Sequence, residues 1–386
     1  MKMLLRLCVV AASVFSAASA QADLKIGVLI SLTGYGAALG APARNTVELL
    51  PTTLGGQKVE YIVADDTSDT TVATRQARRF VEELHVDAII GTSITPTSLA
   101  VLPIVGASQT PLISLSGSGT IIVPQAGDKR WAFKLAPNES TMGERIFADI
   151  RARKFKTLAY VAFSNAYGES FVREMNTLAG KYGVKVVADE RYGGNDTSVT
   201  SQVLKILAAR PDAVFIAAAS SPAALPLLEL KNRGYAGQVY LQQGVASADF
   251  LRLVGRNGDG ALLPVAPVLV AEQLPDSNPV KKPGVEFTSK YEAKFGAGTR
   301  SLFGATLWDA YLLLDKAVPA ALKVGQPGTA PFRTALRDSL EKGGTVVGTQ
   351  AVFSLTETDH NGTDDRSQVL VKIDNGRWLL TPQAKE

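Results

Sequence analysis

Short apolar runs alternate with longer stretches of helical period along most of the chain. The runs at 24–30, 59–64, 87–90 and 111–114 are continuous instead of alternating, as expected of parallel strands covered on both faces. Stretches near 40–53, 70–84 and 96–107 predict the helices between them. A second series begins after Pro137, with strands near 157–163, 184–189, 212–217 and 238–241 and helices near 141–153, 168–181, 199–209 and 222–233. Beyond about 267 the pattern turns helical at 285–295, 301–322 and 332–341, then ends in short strands near 345–353 and 367–380. Two successive βα series predict an α/β protein of two doubly wound, Rossmann-like lobes. Ligands of such sheets sit at the carboxyl ends of the strands, so the loops that follow the strands are where chemistry is sought.

The first twenty residues stand apart. Lys2 and Arg6 precede an almost wholly apolar run at 4–15, and Ala18-Ser19-Ala20 supplies small residues for cleavage. That is the layout of a secretory signal peptide, cut after Ala20 or after Ala22. The run is short for the ~30 Å of a bilayer core, so the expectation is an exported chain without a membrane anchor. Cys8, the single cysteine, lies inside this segment, too early for a lipid-accepting site. The exported chain is then free of cysteine, has no disulfide and draws its stability from core burial. Its charge is close to balanced, which gives no electrostatic reason to expect nucleic acid or an anionic membrane as partner. A monomer is expected.

Enzymatic and metal readings find little support. With His85 and His360 as the two histidines, a His/Cys metal cluster is not available. His85 ends a predicted helix. His360 lies in the turn Asp359-His360-Asn361-Gly362, where the glycine falls at the fourth position instead of the sixth of a calcium loop. No Gly-x-Ser-x-Gly elbow is present. Gly34-x-Gly36-x-x-x-Gly40 after the first strand, with Asp65 ending the second, approaches a dinucleotide fingerprint but is one residue too long. A dehydrogenase remains a remote alternative. The expectation is a non-enzymatic protein with no cofactor and no metal.

The strand ending at Gly91 leads into Thr92-Ser93-Ile94-Thr95-Pro96. Thr95 at the N-cap and Pro96 at the first helical position predict a helix start. Its unpaired N–H groups and the Thr95 hydroxyl could hold an anion without any arginine. The next strand, 111–114, runs into Leu115-Ser116-Gly117-Ser118-Gly119, whose hydroxyls and open backbone would add to the cluster. A small carboxylate is the ligand class these residues suggest.

At these positions the chain resembles periplasmic solute-binding proteins of the branched-chain amino acid type, with the type I binding fold. The likeness runs through Ile26-Gly27-Val28, Thr33-Gly34 and Gly40, then Tyr61, Asp65-Asp66 and Val86-Asp87-Ala88-Ile89-Ile90-Gly91. It continues through Asn165-Ala166-Tyr167-Gly168, Gln202-Val203-Leu204, Pro211-Asp212-Ala213-Val214 and Asp359-His360-Asn361-Gly362. The resemblance implies two lobes joined by three hinge crossovers and closing on a ligand, with delivery to an ABC permease in the inner membrane. On this chain the lobes would be 23–138 with 267–365 and 139–266 with 366–386.

Carried over by position, the carboxylate-binding groups would be Thr95, Ser116 and Ser118, with Ser93 beside them, and the second-lobe tyrosine would be Tyr167. Three positions depart from the pattern. Gln243, in Gln243-Gly244, stands where amino-acid-binding members place a glutamate against the ligand's ammonium, and a neutral amide loses most of that attraction. Ala219 replaces a common aromatic, and Leu39 stands where a tyrosine can stand. Tyr35 and Phe303 are candidates for packing on a ring. The expected ligand is therefore an aromatic, 2-oxo or hydroxy acid in preference to an α-amino acid. A branched-chain amino acid, and a role as an exported sensor on the same fold, remain alternatives.

Overall fold

The computed structural model describes residues 23–382; the segment read as a signal peptide, with Cys8, lies outside the described residues. The first sheet contains β1 (Leu24–Ile30), β2 (Thr53–Leu54), β3 (Gln57–Asp65), β4 (Ala88–Gly91), β5 (Leu112–Ser114) and β6 (Ala132–Lys134) in the order β2-β3-β1-β4-β5-β6. From β3 to β6 every pair is parallel. Helices α1 (Ala37–Val47), α2 (Thr70–Arg78) and α3 (Thr95–Ala107) connect these strands.

The continuous apolar runs have the cause the pattern suggested. On one face of β1, Leu24, Ile26, Val28 and Ile30 share a core with Leu314 and Phe332. On the other, Leu29 packs with Phe80, Val101 and Val105. Both faces are covered, so polar alternation has no place there.

The second sheet holds β7 (Thr157–Phe163), β8 (Lys185–Tyr192), β9 (Ala213–Ala217), β10 (Gln238–Tyr240) and β11 (Leu262–Val265), with α4 (Glu139–Ala152), α5 (Ala166–Tyr182), α6 (Thr200–Ala209), α7 (Ala224–Asn232) and α8 (Ala248–Val254) around it. After β11 come α9 (Lys281–Phe295), α10 (Leu302–Ala321) and α11 (Ala330–Lys342). The short hairpin of β12 (Val346–Val347) and β13 (Val352–Phe353) follows. Then β14 (Val369–Asp374) and β15 (Arg377–Leu380) return to the second sheet and pair antiparallel, giving the order β15-β14-β11-β10-β9-β7-β8. The chain thus passes between the two lobes after β6, after β11 and before β14, the three crossovers of a type I periplasmic binding fold.

Several expectations need correction. The helix expected over 40–53 stops at Val47, because Pro51 disfavours helical backbone before it, and β2 follows as half of a hairpin with β3. The helix expected over 70–84 becomes one wide π turn at Arg79–Glu83. Strands β6 and β11 and helix α8 have no counterpart in the sequence reading. Among the described residues no helix is long and apolar enough to cross a membrane.

Candidate ligand-binding site

A cavity lined by residues of both lobes lies between them. Its walls come from the loops after β1, β4 and β5 on one side and after β7, β9 and β10 on the other, with Ala136 on the first crossover and Leu302, Phe303 and Thr306 on α10. These are the carboxyl ends of strands, where doubly wound sheets place ligands.

The start of α3 forms one end of the cavity. Ile94, extended at φ −125° and ψ 148°, is the N-cap; Thr95 and Pro96 occupy the first two helical positions. This corrects the expectation of Thr95 as the cap by one residue. The Thr95 hydroxyl consequently does not bond its own helix. It is buried, with no hydrogen-bond partner among the described residues, and it lines the cavity together with Ser93, Ile94 and Pro96. The first N–H groups of a helix have no intrahelical acceptor, and the helix dipole favours negative charge there. Pro96 supplies no N–H, so the donors at this end are fewer than an ordinary helix start would offer. The Ser93 Oγ accepts the Ser31 N–H at 3.1 Å, which leaves its own proton available.

Behind this end sits a buried cluster of hydroxyls. Thr97 donates to Thr92 at 2.6 Å, Thr92 contacts Ser98 at 2.9 Å, and Ser98 contacts Ser116 at 2.7 Å. Ser114 lies 2.9 Å from both Ser98 and Ser116. Of these five, Ser116 is the one that lines the cavity. Such a chain ties the ends of β4 and β5 together and polarises its terminal hydroxyl.

Ser118 does not line the cavity, contrary to expectation. It N-caps a short 3₁₀ turn at Gly119–Ile121, accepting the Thr120 N–H at 3.2 Å, and it donates to Ser170 Oγ on α5 at 2.8 Å. Ser170 in turn donates to Glu139. Ser118 therefore bridges the lobes.

The remaining expected residues, Tyr35, Leu39, Tyr167, Ala219, Gln243 and Phe303, all line the cavity. Tyr35 meets Phe163 edge-on, with centroids 6.1 Å apart at 79°. Burial, helped by Asp66, pushes its phenol up to about 12. The Tyr167 phenol is raised well above its ordinary value, first by burial and then by Glu139, against a bond from Gln242. Gly117 approaches Tyr167 so closely that a Cβ there would lie 3.0 Å from Cε2. Residues not anticipated by the sequence include Met142, Phe163, Asn165, Leu302 and Thr306. Asn165 stands within Asn-Ala-Tyr-Gly; Leu302 and Thr306 on α10 carry no local signal. Among the described residues no charged side chain lines the cavity.

His85 lies exposed beyond the π turn with φ 52°. His360 is buried, stacked on Phe133 at 4.0 Å, with Nδ1 2.8 Å from the Ala132 carbonyl and Nε2 3.1 Å from Glu341. Asp359 accepts the N–H groups of Asn361 and Gly362 within its turn. Among the described residues no three His, Cys, Asp or Glu side chains are grouped to hold a metal. Gly40 of the glycine loop packs where a Cβ would meet the Ser31 carbonyl at 1.9 Å, so it serves close helix–strand packing.

Comparison with known proteins agrees with this architecture. Residues 23–377 match the model of a family described as periplasmic binding protein. A curated relative, Leu/Ile/Val-binding protein homolog 7 of Brucella suis, is 24% identical over 94% of this chain and 91% of its own. The crystal structure of an extracellular ligand-binding receptor from Rhodopseudomonas palustris HaA2 is 40% identical and superposes with a TM-score of 0.90, covering 94% of this chain and all of that one. An ABC-transporter solute-binding protein from R. palustris, solved in complex with benzoate, is 19% identical with a TM-score of 0.79, over 93% and 95% of the two chains. The chain belongs to the periplasmic binding protein family.

Proposed function

We propose that this protein is the exported substrate-binding component of an ABC importer and that its ligand is a small carboxylate without an ammonium group, an aromatic, 2-oxo or hydroxy acid. The observation that carries this reading is the pairing of an unpartnered, buried Thr95 hydroxyl at a helix start with a cavity wall free of charged side chains. An ammonium enclosed there would find no carboxylate, and a buried unpaired charge costs several kcal/mol. A carboxylate is better served. Thr95, Ser93 and Ser116 offer hydroxyls, the α3 start offers its dipole, and a hydrogen bond to a charged group contributes about 1.5–3 kcal/mol.

The other walls support a ring or a branched chain. Tyr35, Phe163, Tyr167 and Phe303 surround the space, and Leu39 and Ala219 leave it apolar and open. The fold is one on which a benzoate complex is known. Residues 1–20 act as a cleaved signal peptide that delivers a monomer to the periplasm, and an inner-membrane ABC permease receives the ligand. The names of the curated relatives favour a second reading, a branched-chain amino acid as ligand.

A thermal-shift screen across amino acids, aromatic acids and 2-oxo acids separates the two, since a ligand of the folded state raises the melting temperature by mass action. Shifts with aromatic or 2-oxo acids and none with leucine or valine support the proposal. A leucine shift larger than any acid's overturns it.

A further inference from the structure

Two carboxamides line the cavity from the second lobe, Asn165 and Gln243. A carboxamide carries two N–H donors and one acceptor oxygen, so what it offers a ligand depends on which end the protein has already engaged. Asn165 caps α5. Its Oδ1 accepts the N–H groups of Tyr167 and Gly168 at 3.0 and 3.3 Å. The Oε1 of Gln243 accepts from Gln368 Nε2 at 3.3 Å. In both cases the oxygen already accepts inside the protein, twice for Asn165 and once for Gln243.

Gln368 does not line the cavity. It is fully buried in the third crossover, just before β14. Its orientation is set by its neighbour, because the same Nε2 donates to the Ser367 carbonyl at 2.9 Å. Turning the amide over would place Oε1 against that carbonyl oxygen, so Gln368 must offer N–H to Gln243. Gln368 Oε1 is left without a hydrogen-bond partner among the described residues. That arrangement costs stability, which suits a side chain retained for the direction of its donor.

We propose that Gln368 is a positioning residue for ligand specificity. It fixes the amide of Gln243 so that the two carboxamides of this wall, Gln243 and Asn165, turn their N–H groups to the ligand. The ligand is then a carboxylate bearing a second oxygen that accepts a hydrogen bond, such as a 2-oxo group or a ring ether. This rests on the carboxylate reading above. A ligand ammonium at the same place would meet donors with donors.

Calorimetric titration of two matched pairs tests this: 3-phenylpropanoate against 2-oxo-3-phenylpropanoate, and benzoate against 4-methoxybenzoate. In at least one pair the oxygenated acid should bind about tenfold more tightly, the worth of roughly one good hydrogen bond. Gln368→Leu should bring that ratio close to one while leaving the affinity of the plain acid within about threefold, an effect that general destabilisation would not produce. Gln368→Met, unbranched like glutamine, repeats the test should the leucine variant not fold, and Gln243→Met should erase the preference in either background. Equal affinities within both pairs would overturn the inference while leaving the carboxylate reading intact, and so would a preference that survives Gln368→Leu and Gln368→Met. Failure of all four acids to bind would overturn both.

Discussion

Glu139 receives the backbone N–H of Gly119 through both carboxylate oxygens, at 2.9 and 3.0 Å. The two residues belong to different lobes: Gly119 follows β5, and Glu139 opens α4, which packs with α5 beside the second sheet. Ser170 and Ser118 extend the contact to a second connection. All four groups lie outside the cavity wall, so this contact closes the lobes without touching a ligand.

Glu139→Gln should therefore weaken binding of every ligand by a similar factor. A charge-assisted hydrogen bond contributes about 1.5–3 kcal/mol, so removing its charge shifts the opening equilibrium by roughly tenfold or more, and apparent affinity falls with the closed fraction. Small-angle scattering of the ligand-free variant should show a larger radius of gyration than the wild type. Uniform loss across ligands with a more open shape is the expected result.

Thr95 and Ser118 should behave differently although both were read from the sequence as carboxylate ligands. Thr95→Ala removes an otherwise unpartnered hydroxyl at the cavity. It should cost about tenfold or more in affinity for carboxylates, with the melting temperature of the ligand-free protein unchanged or raised. Ser118→Ala cuts a lobe-bridging bond and should resemble Glu139→Gln. Ser98→Ala, in the hydroxyl cluster behind Ser116, should weaken carboxylate binding by a few-fold by leaving Ser116 less polarised. Calorimetry with one carboxylate across the three variants distinguishes these patterns.

How much was legible in the sequence follows from the range of the forces involved. The strands 24–30 and 157–163 were read with the bounds of β1 and β7, because burial on both faces writes itself as a continuous apolar run. Strand β6 was not read. It has three residues, and one of them, Lys134, is fully buried, its ammonium held by the Ala136 and Pro137 carbonyls. A charged residue in so short a run carries no strand signal; its partners are supplied by the crossover that follows. Thr95-Pro96 marked a helix start one residue off, since Thr and Pro also fit the first two positions within a helix. Ser118 was misplaced because its direction depends on Thr120 and on Ser170, fifty-two residues away. Thr306 and Leu302 reach the cavity from α10 by packing between distant segments.

Stability should also depend on pH through Asp309, fully buried on α10. Burial pushes its carboxyl up to about 7, against bonds from the Thr349 N–H and hydroxyl and the Gln350 N–H. The folded state thus holds a proton that the unfolded chain releases near pH 4. The stabilisation from that proton is complete below about pH 4 and is lost as pH rises through about 7. In denaturant titrations at pH 4.5 and 8, Asp309→Asn should lose this part of the pH dependence, on the order of a few kcal/mol. An unchanged pH slope in the variant would assign the dependence to other groups.

A carboxylate site with no place for an ammonium should discriminate sharply within one pair of ligands, titrated side by side. Leucine and 4-methyl-2-oxopentanoate share a carbon skeleton and a carboxylate and differ in the group at the second carbon. With Gln243 and an uncharged wall around it, the oxo acid should bind at least about 100-fold more tightly, since an unpaired buried ammonium costs several kcal/mol. Leucine binding as tightly as the oxo acid, or more tightly, would show that the site accepts an ammonium.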